Sequence, residues 1–175
     1  ADFHHKLALC AHRFATSLIA QQRYKEAEEQ LTALLLIDPD LSVVEDDLRL
    51  IQQAQTGEVS QEAFQLYESA QPSGGLSLEQ QIAVLSEALE SSPRFVDAML
   101  IRAVLRAEKG ELEAAQDEIS RALDLEKGSW RLRFHQAGLA FLLKDSSAAC
   151  ATWQACATSK KQPWSEFAAS NLRAL

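Results

Sequence analysis

Apolar residues in this chain return every third or fourth position and never alternate with polar ones over the length of a strand. Residues 3–21 carry Leu7, Phe14, Ala15 and Leu18 on one stripe, and Gln21-Gln22-Arg23 marks a turn before a second helix over 24–37. That helix stops at Asp38-Pro39-Asp40, because proline cannot continue it and disfavours the helical region for the residue before. A third helix over 41–55 carries Val44, Leu48 and Ile51 and breaks at Thr56-Gly57, and Ser60 is placed to cap a fourth that reaches about Ala70. Gln71-Pro72-Ser73-Gly74-Gly75 is the strongest breaker, followed by Ser77-Leu78-Glu79-Gln80, a capping-box pattern opening a fifth helix to about Glu90. Residues 95–109 and 111–126 pair about Gly110, 130–144 and 146–159 pair near Asp145, and Pro163 sits at the first turn of a tenth helix, 164–174.

One phrase recurs on these helices. Tyr24-Lys25-Glu26-Ala27 precedes Leu31 and Leu34, Gln61-Glu62-Ala63 precedes Tyr67 and Ala70, Leu112-Glu113-Ala114-Ala115 precedes Ile119 and Ala122, and Ser147-Ala148-Ala149 precedes Trp153 and Cys156. A small residue, a large one four later and a small or apolar one three after that lie on one helix stripe, where a neighbouring helix packs closely. The anchors Ala27, Ala63, Ala115 and Ala149 are 36, 52 and 34 residues apart. The pattern resembles the second helix of the tetratricopeptide repeat, whose period is 34 residues, including its terminal Asp-Pro at Asp38-Pro39.

The resemblance implies an all-α, right-handed superhelix of antiparallel helix pairs, about ten helices, with an irregular middle and a C-terminal capping helix. It covers 8–40 and 95–160 well and 41–93 weakly. The expected layout is one good and one degenerate repeat over 1–73, a Gly/Pro-rich break with an unpaired helix over 74–93, and two repeats with a cap over 94–175, in one continuous domain. Two pairings stay open in the middle. Gln61-Glu62-Ala63 leaves the fifth helix unpaired, whereas Pro93, standing after Leu85 and Ala88, pairs the fourth helix with the fifth and leaves the third over. The resemblance also assigns structural roles to Ala27, Ala63, Ala115 and Ala149, and to Arg102 as an ion-pair partner of Glu118 or Asp117.

Repeats of this family bind through the inner face of their first helices. Transferred position by position, that face holds Leu9, His12, Thr16 and Ile19, then Leu100, Val104 and Ala107, then Leu132, His135, Leu139 and Leu142. A chaperone-tail clamp would need Lys and Asn at several of these positions, where the chain has His12, Thr16, Leu100 and Val104. The surface instead suits an amphipathic helix or an extended apolar peptide, so the expected role is a non-catalytic scaffold or adaptor. The alternatives are an oligomerisation or regulatory region of a larger protein, with a self-complementary stripe, and an enzyme or small-molecule carrier.

Charge and chemistry narrow this further. A net charge of −8, with Glu and Asp interleaved among Arg102, Arg106, Arg121, Arg131 and Arg133, argues against nucleic acid, whose binders present a basic face. No apolar run approaches the ~18 residues of a membrane span. Three widely spread cysteines, Cys10, Cys150 and Cys156, do not make a disulfide framework and point to a reducing, cytoplasmic compartment. His4, His5, Cys10 and His12 have metal-ligand chemistry, but not the i, i+3 or i, i+4 spacing that sets two ligands around one ion. No nucleophile elbow, zinc motif, phosphate loop or dinucleotide fingerprint is present, so no catalytic residue, cofactor or metal is expected.

Overall fold

The computed structural model describes the backbone of residues 2–71 and 75–174, with side chains from Lys6 onward except those of residues 8 and 9. The side chains of His4, His5 and Leu9, and the break at 72–74, lie outside the described residues. The described chain forms ten α-helices: α1 (Asp2–Ala20), α2 (Tyr24–Ile37), α3 (Ser42–Thr56), α4 (Gln61–Ser69), α5 (Leu78–Ser91), α6 (Val96–Glu108), α7 (Leu112–Leu125), α8 (Trp130–Leu142), α9 (Ser146–Thr158) and α10 (Trp164–Ala174).

The helix ends follow local chemistry. The Ser60 hydroxyl accepts from the Ala63 N–H, and Ser77 and Gln80 satisfy each other's backbone N–H groups in a complete capping box. Gly57 terminates α3 at φ 77°, a left-handed conformation that side-chain-bearing residues rarely hold.

Packing resolves the middle of the chain. Helix α5 packs between α4 and α6, while α3 packs on α1 and α2 and makes only marginal contact with α4. The pairs are therefore α4–α5, α6–α7 and α8–α9, and α3 is the extra helix. This corrects the expectation of an unpaired helix over 74–93. Gln81 holds the position occupied by alanine elsewhere: it precedes Ala115 by 34 residues, as Ala115 precedes Ala149, and Pro93 follows Gln81 at the spacing by which Pro39 follows Ala27. The substitution is tolerated because Gln81 is buried with its amide donating to the Ala70 carbonyl at 2.9 Å. Ala63, the anchor in the sequence phrase, lies instead in the first helix of its pair, fully buried.

Ala27, Ala115, Ala122 and Ala149 have no exposed surface, so facing helices approach to backbone distance there. Ala115→Leu is expected to lower stability by about 1–3 kcal/mol through overpacking, read as a drop in urea midpoint with an unchanged slope. On α1 the buried stripe runs through Ala11, Ala15, Leu18 and Ile19, which turns Phe14 out to solvent. One core runs from α1 to α8, and a smaller cluster, centred on Ala149, Trp153 and Cys156, joins α8, α9 and α10.

Candidate functional site

Helix α8 is apolar nearly all round, and its faces divide between several neighbours. Ala137 and Ala140 pack toward α9, and Leu132 and Leu139 enter the main core. The remaining face, with Phe134, His135, Gly138, Phe141 and Leu142, lines a groove of about 740 Å³. Val104, Ala107 and Glu108 of α6 form the opposite wall, Ile119 and Trp153 line it from α7 and α9, and Asn171 and Ala174 of α10 stand at its end. A Cβ built on Gly138 meets no heavy atom within 4 Å, so this residue leaves the groove open at mid-length. Phe141 and Leu142 remain 41% and 54% exposed, an unusual exposure for large apolar side chains at the lip of a concavity.

The groove is almost uncharged. His135 lies in an aromatic setting, 5.6 Å from Phe134 and 5.9 Å from Trp164 between ring centres. Burial, with the nearby Arg131 charge, pushes its pKa down to about 4, so it is a neutral imidazole at neutral pH. Glu108 is the only charged residue lining the groove among the described residues.

Val104, His135, Leu139 and Leu142 are brought together here. Leu139 is only 6% exposed and belongs as much to the core as to the groove. Thr16, Ile19 and Leu100 are buried and reach no open surface. His12 is 24% exposed at its side chain and is held by Asp47. The physical reason is α3, which packs along α1. Phe134, Phe141, Trp153 and the two α10 residues were missed by register transfer, which follows one stripe of one helix. Phe134 and Phe141 flank that stripe and were detectable as aromatics beside it, but nothing in the spacing announces α10.

Structural roles are placed as follows. Arg102 Nε donates to Glu118 Oε1 at 2.8 Å, and Arg106 Nη1 donates to Glu118 Oε2 at 2.8 Å. Arg102 also donates to the Ser86 hydroxyl at 2.9 Å, which ties α5, α6 and α7 together. Among the described residues no group of three His, Cys, Asp or Glu side chains is placed to hold a metal ion, and no helix is long and apolar enough to cross a membrane.

No family model matches the chain, and no curated protein sequence matches it. The structure is similar to that of a thermophilic TPR protein from Thermus thermophilus, with a TM-score of 0.51 and 19% identity, over 95% of this chain and 97% of that one. The fold is a tetratricopeptide-like superhelix of antiparallel helix pairs.

Proposed function

We propose that this chain is a non-catalytic adaptor that holds an apolar segment of a protein partner, helical or extended, in the groove between α6, α8 and α10. The observation carrying this reading is the open apolar concavity with Phe141 and Leu142 half-exposed at its mouth. A preformed apolar surface gains affinity by burying the partner's side chains without an ordering cost of its own. The groove-facing residues of the reading are Val104, His135, Leu139 and Leu142. The three free cysteines fit a reducing, cytoplasmic setting.

Leu142→Glu is the direct test. The side chain is half in water, so the change is expected to leave the urea midpoint nearly unaltered. Buried against a partner's apolar face, the new carboxylate is expected to weaken binding tenfold or more, which corresponds to about 1.4 kcal/mol. Proteins that co-purify with the wild type and are lost from the variant are the groove's partners, and co-purification unaffected by the change overturns the reading. Light scattering over a concentration series separates the alternative, a self-complementary stripe. A wild type that dimerises and a Leu142→Glu variant that does not would make the second copy the occupant.

A further inference from the structure

The two ends of the helix stack meet. The Ser42 N–H donates to the Gln162 carbonyl at 2.9 Å, the Gln162 N–H donates to the Asp40 carbonyl at 2.7 Å, and the Ser42 hydroxyl adds a third bond to Gln162 at 3.0 Å. Lys161 and Glu45 pair at 2.8 Å just outside. Deeper in the same seam, Arg131 of α8 lies 2.6 Å from Asp97 and 3.5 Å from Asp46 of α3, and Arg49 pairs with both Asp46 and Glu126. On the other side of α3, His12 Nδ1 donates to Asp47 at 2.7 Å, and the Tyr67 hydroxyl lies 3.4 Å from His12 Nε2. Between α3 and the α8–α10 end these links are polar, since α3 packs its backbone on α1 and α2 and not on α6, α8 or α10.

We propose that this seam is a clasp, one that opens and closes as a unit and sets where α10 stands. The loop it grips, 159–162, leads directly into α10, and the Ser165 and Phe167 N–H groups bond back to Lys161 and Pro163 at 2.9 and 3.1 Å. Helix α10 in turn supplies the end wall of the apolar groove. The consequence for a bound partner rests on the docking reading of that groove, but the motion itself does not. A polar seam suits such a device, because its bonds exchange with water at little net cost whereas apolar packing does not.

The charges give the clasp a direction. Facing His12 are Asp47 of α3, Tyr67 and Glu68 of α4, Asp97 of α6 and Arg131 of α8. With His12 protonated, the carboxylates of Asp46, Asp47, Asp97 and Glu126 oppose the charges of Arg49, Arg131 and His12, one short of balance, and loss of that proton leaves them two short. Burial works against the His12 cation, but the Asp47 hydrogen bond and charge outweigh it and raise its pKa. Burial also raises Asp46, Asp47 and Glu126, against the pull of their cationic partners. All four groups bind protons more tightly in the folded protein, so their contribution falls as pH rises through their titrations. Asp97 is the opposite case: burial would raise it, but Arg131 holds it low, so its contribution is lost only on the acid side.

Amide hydrogen exchange by NMR tests this without any partner. In Asp46→Asn and in His12→Gln, the protection factors of Ser42, Gln162, Ser165 and Phe167 are expected to fall together about tenfold, a shift of about 1.4 kcal/mol, while Ile119 in α7 keeps its own. In the wild type the same four amides are expected to lose protection as pH is raised through the His12 titration, a step absent from His12→Gln. Lys161→Met, which removes only the outer pair, keeps the test open if a deeper variant fails to fold, and a smaller loss at the same four amides is expected. Ser42 and Gln162 opening while Ser165 and Phe167 stay protected would sever the clasp from α10. Ile119 falling equally would reduce the effect to global unfolding, and unchanged protection in all variants would remove the clasp. None of these results touches the Leu142 test of the groove.

Discussion

Glu118→Ala is expected to cost about 3–5 kcal/mol of stability, enough to leave a substantial fraction of a domain of ordinary stability unfolded. Glu118 has no exposed surface and answers two guanidinium groups, those of Arg102 and Arg106, whose side chains are themselves 13% and 23% exposed. Truncation strands both charges between α6 and α7, with only the Ser86 hydroxyl left to Arg102. The cost is that of an uncompensated buried charge, not the net worth of the pair. A second variant separates the two: Arg102→Met, Arg106→Met and Glu118→Leu combined removes every charge at similar volume and is expected to recover most of the loss. Urea unfolding of the single and triple variants decides it. A loss below about 1 kcal/mol in Glu118→Ala, the size of an exposed pair, would mean the site is open to water.

Arg131→Met is expected to produce a loss of similar size, about 3–5 kcal/mol at neutral pH, with a distinct pH dependence. Arg131 is 11% exposed and compensates Asp97, which is otherwise enclosed, with Asp46 beyond it. In the wild type Arg131 outweighs burial and holds the Asp97 carboxyl below its ordinary range, so Asp97 favours the folded state above its unfolded titration and loses that effect as pH falls. Without the guanidinium, burial alone acts and lifts Asp97 above its unfolded value, so the sign reverses and acidification restores stability. The urea midpoint of the variant is therefore expected to rise between pH 7 and pH 5, and a midpoint that falls in parallel with the wild type would contradict this assignment. His135 supplies an independent reading. Burial and the Arg131 charge together depress it, so its NMR titration is expected to move up from about 4 in the variant.

Both substitutions act at positions of very different visibility in the chain. Arg102 and Glu118 are 16 residues apart on adjoining helices, and a cation facing an acidic residue across a tight helix pair is legible from helical periodicity once the pair is identified. Arg131, Asp97 and Asp46 belong to three helices that are not consecutive, and their spacing carries no sign of contact. The same contrast divides the groove. Val104, His135, Leu139 and Leu142 followed from the 34-residue register of two well-formed repeats. Thr16, Ile19 and Leu100 followed from the same rule and are covered. For the first two the cause is that a regular array has no extra helix at α3. The fourth-helix phrase at Ala63 misled for a related reason. Its spacing matches the repeat, but Gln81, a polar residue no small-residue pattern would select, holds the equivalent place by burying its amide against Ala70.

By itself the sequence determined the ten helices, most of their ends, and the close-packed stripes of Ala115 and Ala149. Those features depend on propensity, capping and a 3.6-residue period, all of which act between residues a few positions apart. Only the tertiary structure decided that α3 is the extra helix, that α10 ends the groove, and that Ser42 meets Gln162 across 120 residues. Such contacts arise from how small rotations between successive helix pairs accumulate along the stack. That sum is set by side-chain volumes at every interface together, and no local spacing records it.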